Sequence, residues 1–422
     1  MKLEFLQKKY PRFVYKSFNS RFSGKNLEIY FDFKIEPDIS FKPKLTIKNV
    51  KKVSLSNLDN LIFHLGLIEM LSYWKSTCSP VIEIKCGFLE KKQIKWWQNI
   101  IMSGMGQFFF ENKIPFLKPN FEILGPHLPV GMFKGSDKGI LVPVGGGKDS
   151  VVTLESMKKA KKNIRCFSLN PTDSAIKVMN LAGCQKPIIA KRVIDKKLLE
   201  LNRKGYPNGH TPFSAYLAFL TLLVAAVFDH REIAVSNEKS SNEGNLKHLG
   251  KTVNHQWSKS FEFEKKFRSY SRKYLAKNIR YFSFLRSLSE IQIAKLFSRH
   301  SKYFPAFLSC NEAYKTASGT KKPSKKWCCK CSKCLFSFLI LYPFLEKEEI
   351  IKIFDKNLFE DKSLLPVLQQ LIGKKGFKPF ECVGTRKESL AALYLCWKKN
   401  KFAEHSSQPV LLRYFEKRIL PK

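Results

Sequence analysis

The sequence predicts an α/β protein: a parallel sheet with helices on both faces, preceded by an α+β region and followed by a helical region. From Gly139 onward, short apolar runs alternate with segments of helical periodicity, which is the pattern of a parallel sheet. Before that point, residues 26–36 alternate apolar and polar side chains, as a half-buried strand does. We therefore predict three parts, at residues 1–135, 139–345 and 346–422.

Local patterns predict the elements of each part. Pro143 belongs near the end of its strand, because a central strand needs its N–H groups. A stretch rich in Gly and Pro, 125–138, predicts a linker. The candidate strands of the second part are 139–144, 164–169, 187–193 and 232–236. The candidate helices of the chain are 57–74, 94–110, 215–228, 364–372, 389–397 and 410–419.

Composition narrows the partners of the protein. The 422-residue chain carries a formal net charge of +40, from 75 Lys and Arg against 35 Asp and Glu, which suits nucleotides, RNA or a membrane surface. The lysines are dispersed, so a lysine-rich composition explains the charge equally well. Charged residues begin at Lys2, unlike a signal peptide, and the longest apolar run is too short to span a bilayer. We expect a cytoplasmic protein.

The most informative stretch is a glycine corner, Gly145, Gly146 and Gly147, followed by Lys148, Asp149 and Ser150. It lies between an apolar run and a helix, so backbone N–H groups and the helix N-terminus can surround a phosphate chain. Ser150 is predicted as the helix N-cap. A Walker A loop would need Ser or Thr at Asp149, and a dinucleotide fingerprint would need Gly at Ser150. An ordinary glycine turn is the alternative.

Polar loops follow the predicted strands at the edge of the sheet where ligands bind. Asn237 and Glu238 follow the fourth strand, and His255 and Lys259 come next along the chain. His210 lies in a turn-rich loop before the buried helix. These side chains are candidate ligand or catalytic groups, and hydrated surface loops are the alternative. The loops predicted to meet around the ligand are 145–150, 170–173 and 236–245.

Four of the eleven cysteines, Cys310, Cys328, Cys331 and Cys334, have the spacing of a metal site. Two Cys-x-x-Cys turns suit one tetrahedral ion, and zinc is the default in a reducing compartment. An iron–sulfur cluster is the rival, since four thiolates serve either, and Cys329 could replace a neighbour. The other cysteines are predicted to be free thiols: Cys78, Cys86, Cys166, Cys184, Cys382 and Cys396.

The glycine corner resembles the PP-loop of ATP pyrophosphatases, Ser-Gly-Gly-x-Asp-Ser, with Gly145 in place of the first Ser. The resemblance implies a HUP-like nucleotide-binding fold that takes ATP and Mg²⁺ and cleaves ATP between the α- and β-phosphates. The corner would hold pyrophosphate, Lys148 would offset its charge and Asp149 would place Mg²⁺. Together with the cysteines, the loop also resembles 7-cyano-7-deazaguanine synthases, so a deazapurine or RNA substrate is an alternative.

Longer sequence segments cover more of the chain and are similar to the bacterial MurL family. They are Leu71-Ser-Tyr-Trp-Lys-Ser76, Val142 to Glu155, Ser236-Asn-Glu238, Val253 to Glu262 and Trp327 to Cys334. That family is the UDP-N-acetyl-α-D-muramoyl-L-alanyl-L-glutamate epimerase. The resemblance implies ATP-dependent inversion of the terminal L-glutamate of a peptidoglycan precursor, with release of AMP and diphosphate. It also implies a role in cell shape and division.

The implied chemistry is coherent in itself. A carboxylate resists loss of its α-proton, and transfer of AMP to it removes its charge and makes that proton far more acidic. His255 or His210 is predicted to carry the proton, since histidine titrates near neutrality. A different class, a nucleic-acid-binding protein with a vestigial nucleotide fold, would concentrate its charge on one face; nucleic acid therefore stays open as a partner. The sequence leaves the oligomeric state open.

Overall fold

The computed structural model describes residues 2–51, 53–131, 133, 136–315, 320, 324–402 and 408–420. The strands among them are β1 (Arg12–Ser23), β2 (Asn26–Ile35), β3 (Ile39–Phe41), β4 (Lys44–Ile47), β5 (Val81–Ile84), β6 (Asn120–Ile123), β7 (Ser136–Pro143), β8 (Ile164–Leu169), β9 (Ile188–Val193), β10 (His230–Val235), β11 (Leu246–His248), β12 (Lys251–Val253) and β13 (Arg280–Ser283).

The helices of the described residues lie between and after these strands. They are α1 (Leu3–Lys9), α2 (Asp59–Glu69), α3 (Leu71–Trp74), α4 (Lys91–Gly104), α5 (Gly106–Glu111), α6 (Lys148–Lys159), α7 (Asp173–Leu181), α8 (Lys196–Arg203), α9 (Phe213–Phe228), α10 (Phe261–Tyr274), α11 (Glu290–Phe297), α12 (Asn311–Tyr314), α13 (Ser332–Leu341), α14 (Lys347–Phe354), α15 (Leu365–Leu371), α16 (Arg386–Lys401) and α17 (Val410–Arg418).

One large mixed sheet organises the molecule. Its strands follow the order β13-β10-β7-β8-β9-β4-β2-β1-β5-β6, with β3 paired to β2. The five strands β13-β10-β7-β8-β9 are mutually parallel, which confirms the predicted parallel sheet. In the sheet, β8 and then β9 lie on one side of β7, whereas the next parallel strand in the sequence, β10, lies on the other side. The strand order therefore reverses at β7. Such a reversal opens a crevice beyond the carboxyl ends of the strands.

The N-terminal strands extend this sheet across the predicted boundary between the first two parts. β4 pairs antiparallel with β9, so that Ile47 faces Ala190. Arg192 on β9 also makes a bidentate ion pair with the buried Glu69 of α2, at 2.7 and 2.9 Å. Two parallel charge-assisted hydrogen bonds fix the relative orientation of the helix and the sheet.

Most predicted elements are present, with shifted ends. Pro143 is the last residue of β7, as predicted, and the predicted linker 125–138 runs into β7, with residues 132, 134 and 135 outside the described residues. The predicted helix 94–110 divides at Met105. Gly104 lies against Pro212, where an added Cβ would approach the Pro212 Cβ to 2.9 Å. The contact therefore requires glycine, which weakens a helix at this position. No described helix has the length and apolar character needed to cross a membrane.

Two of the cysteines predicted to be free are bonded to each other. Cys166 on β8 and Cys184 after α7 form a disulfide. Their sequence separation of 18 residues hid the pairing, because only the turn from β8 through α7 brings the two side chains together. The prediction of free thiols at these two positions is therefore wrong.

A buried polar network joins α2, α4 and α10. His64 Nδ1 contacts the Asn60 carbonyl at 2.8 Å and His64 Nε2 contacts the Tyr270 hydroxyl at 2.9 Å. Gln93 and Trp97 donate to the same hydroxyl, both at 3.0 Å, so Tyr270 must donate to an unprotonated His64 Nε2. Burial outweighs the Asn60 contact and lowers the pKa of His64 to about 4.

This histidine predicts part of the acid sensitivity of the fold. The unfolded chain binds the proton near pH 6.5 and the folded chain only near pH 4, so stability present above pH 6.5 is lost as the pH falls through about 4. Urea unfolding across this range should show a loss of up to about 3 kcal/mol that His64→Gln removes. The exposed His127 offers the matched substitution His127→Gln, and parallel curves for wild type and His64→Gln would contradict the prediction.

Candidate functional site

The glycine corner lies at the reversal of the strand order, directly after β7. Gly146 has φ +87°, and its carbonyl accepts hydrogen bonds from Ser174 Oγ at 2.7 Å and Leu308 N at 3.1 Å. Gly147 is the N-cap of α6, so the predicted cap at Ser150 is wrong. Ser150 instead lies in the first helical turn and accepts from Gly145 N at 3.2 Å. The N-terminus of α6 therefore faces the crevice behind a fixed loop.

Two adjacent glycines of this corner should respond differently to substitution by alanine. A Cβ at Gly146 would stand 2.6 Å from the Ala175 backbone nitrogen in a backbone conformation that favours glycine, whereas a Cβ at Gly145 meets nothing within 4 Å. We expect Gly146→Ala to lower the free energy of unfolding by about 1–3 kcal/mol and Gly145→Ala to leave it unchanged. Chemical denaturation of the two variants measures this difference, and equal stabilities would contradict it.

Three charged groups meet at the start of α6. Lys148 Nζ contacts Asp149 Oδ1 at 2.5 Å and also Glu290 Oε2. Burial opposes the Lys148 charge, but Asp149 and Glu290 outweigh burial and raise its pKa. Burial would raise the pKa of Asp149, yet Lys148 and Lys333 lower it. For Glu290, burial prevails over Lys148 and raises the pKa to about 7. Asp149, the more exposed of the two acidic side chains, is therefore the one whose ionised form is favoured.

Hydrogen bonds hold the loops after β10 in place. Asn237 donates to Ser283 Oγ at 3.2 Å, which places this candidate ligand against β13. Glu238 is buried and accepts from Ser240 Oγ at 3.2 Å. Arg286 ties the two loops together by donating to the carbonyls of Glu238 and Lys259, at 2.7 and 2.6 Å.

The two candidate histidines lie side by side, with ring centroids 4.7 Å apart. His255 Nδ1 contacts Gln107 Oε1 of α5 at 2.6 Å, so the N-terminal part contributes to the site. Burial with the charges of Lys259 and Lys333 lowers the pKa of His255 to about 3, and burial with His255 lowers the pKa of His210 well below its ordinary value. The predicted titration near neutrality is absent at both positions.

The site also contains residues that sequence reasoning missed. Cys382 Sγ lies 3.1 Å from Lys259 Nζ and 3.8 Å from His255 Nε2. Lys333 of α13 donates through Nζ to the Cys382 carbonyl, and its backbone N–H donates to Glu381 Oε2 at 2.6 Å. No local motif marks these residues. The one available signal was the position of Lys333 between Cys331 and Cys334, where a metal loop would fix it.

A cavity of about 1020 Å³ adjoins the glycine corner. Its walls include the predicted ligand loop after β8, residues 170–173, together with Ser174, residues 304–308 and Trp327. Ser174 and Leu308, which hold the Gly146 carbonyl, both line it. A volume of this size accommodates a ligand as large as a nucleotide.

The four predicted metal ligands converge in the structure. Their sulfur atoms all lie within 4.8 Å of one another, with separations of 3.9 Å for Cys310–Cys331, 3.7 Å for Cys328–Cys334 and 3.6 Å for Cys331–Cys334. Tetrahedral thiolates at the zinc–sulfur bond length stand about 3.8 Å apart, so the residues fit zinc. Cys329 has φ 55° and donates to the Phe354 carbonyl at 3.1 Å, so it does not replace a neighbour here.

The parallel sheet and the charged crevice describe an α/β protein with a candidate site at the carboxyl ends of its strands. Residues 4–284 match the family model of the MurL N-terminal domain, and residues 306–418 match the MurL C-terminal domain. The chain belongs to the MurL family, which confirms the resemblance seen in the sequence. The family models divide the chain between residues 284 and 306, within the predicted part 139–345; the three-part division stays a prediction.

Relatives of this family carry a common name, UDP-N-acetyl-alpha-D-muramoyl-L-alanyl-L-glutamate epimerase. The protein from Micromonospora sp. is 35% identical over 72% of this chain and 68% of its own length. The protein from Salinispora tropica is 34% identical over 81% and 74%, and that from Xanthomonas oryzae pv. oryzae is 30% identical over 85% and 79%. The similarity to these relatives supports an epimerase, which is an isomerase.

Proposed function

We propose that this protein inverts the terminal L-glutamate of UDP-MurNAc-L-Ala-L-Glu at the expense of ATP, releasing AMP and diphosphate. The observation that carries the proposal is the glycine corner with Lys148 and Asp149 at the strand reversal, in a member of the MurL family. The substrate is the one named for the relatives. Peptidoglycan precursor synthesis in the cytoplasm follows from this substrate.

The corner suits the departing pyrophosphate. Backbone N–H groups of Gly146 and Gly147, the N-terminus of α6 and the cation of Lys148 all supply positive charge at one place. The adjoining cavity, lined by residues 170–174 and Trp327, would take the nucleoside. The side chain of Asp149 is 30% exposed and offers the oxygen ligand that Mg²⁺ prefers. A bound Mg²⁺ would neutralise phosphate charge, and Asp149 would hold it.

The inversion needs proton transfer at the α-carbon. With the α-carboxylate of glutamate converted to an acyl-adenylate, no second negative charge builds on an ionised group, so the α-proton becomes acidic. His255, His210 and Lys259 remain candidate groups around this position, since His255 lies 4.7 Å from His210 by ring centroid and shares Cys382 with Lys259. The four thiolates Cys310, Cys328, Cys331 and Cys334 would hold a structural zinc that fixes the start of α13.

The decisive test is incubation of the protein with ATP, Mg²⁺ and UDP-MurNAc-L-Ala-L-Glu, followed by hydrolysis and chiral analysis of glutamate. D-Glutamate with AMP formation is expected. ATP–pyrophosphate exchange with the same substrate tests the activation step separately. Exchange that depends on a deazapurine carboxylate instead, or RNA binding without exchange, would replace the proposal.

A further inference from the structure

Cys382 occupies a position that the predicted chemistry leaves without an assigned role. Its thiol is half-buried in the crevice and lies 3.1 Å from Lys259 Nζ and 3.8 Å from His255 Nε2. An ammonium group in hydrogen-bond contact with a thiol favours its thiolate form. The remaining cysteines are accounted for by the disulfide, the metal-like cluster or apolar packing.

The segment around Cys382 is fixed in place rather than free to turn away. Lys333 binds the Cys382 carbonyl and the Glu381 carboxylate from one side. Gln256 donates to the carbonyl of the following residue, Val383, at 3.3 Å, and Asn245 donates to the carbonyls of Lys378 and Pro379, at 3.1 and 2.7 Å. Anchoring from both the α13 side and the 245–259 loops preorganises the thiol.

The charges around the thiol favour it over the neighbouring histidines. Burial would raise the pKa of Cys382, but Lys259 and Lys333 outweigh burial and lower it. The same two lysines, with burial, lower the pKa of His255 to about 3, which makes His255 a weak base. The two lysines therefore favour the thiolate form of Cys382 and make His255 a weak base.

We propose that the Cys382 thiolate, paired with Lys259, exchanges the proton with the glutamate α-carbon on one face during epimerisation. This role rests on the proposed function. The C–H bond breaks, the S–H bond forms, and the electron pair moves onto the activated carboxyl group as an enolate. A proton from solvent, delivered to the opposite face, restores the C–H bond with inverted configuration, and the Cys382 proton returns to solvent. Water then cleaves the mixed anhydride, which releases AMP and restores the carboxylate. No oxidant or reductant is needed.

The test separates activation from proton transfer. Wild type, Cys382→Ser and the control Cys86→Ser are assayed for substrate-dependent ATP–pyrophosphate exchange, for D-glutamate and for incorporation of deuterium from solvent at the α-carbon. Cys382→Ser should keep pyrophosphate exchange, which also shows that it folds, and should lose inversion by about 10²- to 10⁴-fold. Cys86→Ser should resemble wild type. Iodoacetamide labelling of the wild type, mapped by mass spectrometry, should modify Cys382 faster than Cys86, and Lys259→Met should slow that labelling.

Each other outcome overturns the inference. Inversion by Cys382→Ser within a few-fold of wild type, or joint loss of exchange and inversion, would leave Cys382 without a specific part in proton transfer. Labelling of Cys382 no faster than that of Cys86 would contradict the assignment of Cys382 as a thiolate. A wild type that exchanges pyrophosphate and leaves glutamate in the L-form would overturn the proposed function, and the role of Cys382 with it.

Discussion

Replacing Lys148 with methionine is expected to lower AMP formation by about 10²- to 10³-fold. Lys148 is almost fully buried at the first residue of α6, and its ammonium group contacts both Asp149 and Glu290. Methionine keeps the length of the side chain and removes the charge that would offset a departing pyrophosphate. The measurement is substrate-dependent AMP formation with each variant at saturating ATP.

The same substitution should make stability depend more steeply on pH. Without Lys148, the buried Glu290 loses its cation, and its pKa, already raised to about 7, rises further. Folding then favours protonated Glu290, so the loss of Tm should be larger near about pH 8.5 than near about pH 6. Lys159→Met, at an exposed position on the same helix, is the matched control. Activity within a few-fold of wild type in Lys148→Met would contradict the assignment of the corner.

The parallel sheet was predictable because its signals are local. The four predicted strands contain short apolar runs, whereas β13 reads Arg-Tyr-Phe-Ser and was not predicted. The glycine corner is bounded by a strand and a helix in the sequence itself. Pro143 at the end of β7 illustrates this: one residue's missing N–H group fixes where the strand must stop. Local patterns of this kind are sufficient to find a loop and to place it at the edge of a sheet.

The rest of the site depends on contacts between distant parts of the chain. Glu290 reaches Lys148 across 142 positions, and Cys382 reaches Lys259 across 123. Neither residue lies in a motif, so no periodicity or spacing marks them. The pKa values of His255 and His210 also depend on burial and on cations contributed by other segments. A histidine's ordinary pKa was therefore a poor guide to its behaviour at these positions.

Loss of the proposed metal ion should have the second large effect. Cys331 is both a member of the four-sulfur cluster and the N-cap of α13, the helix that carries Lys333 to Cys382. We expect Cys331→Ser to lose bound metal, to lower Tm and to reduce activity, because the ion's binding free energy contributes to folding. Metal analysis of the purified protein measures the first effect, and it separates zinc from an iron–sulfur cluster.

The neighbouring Cys329 provides a matched control for this prediction. Its thiol donates to the Phe354 carbonyl at 3.1 Å, outside the cluster, so Cys329→Ser should retain metal and Tm although it removes a sulfur two residues away. Chelation of wild type should reproduce the Cys331→Ser phenotype, and readdition of zinc should reverse it. A wild type purified without stoichiometric metal would show that the four cysteines pack as thiols and that Lys333 is positioned by Glu381 and Cys382 alone. Equal metal content in the two variants would show that Cys331 is not a required ligand.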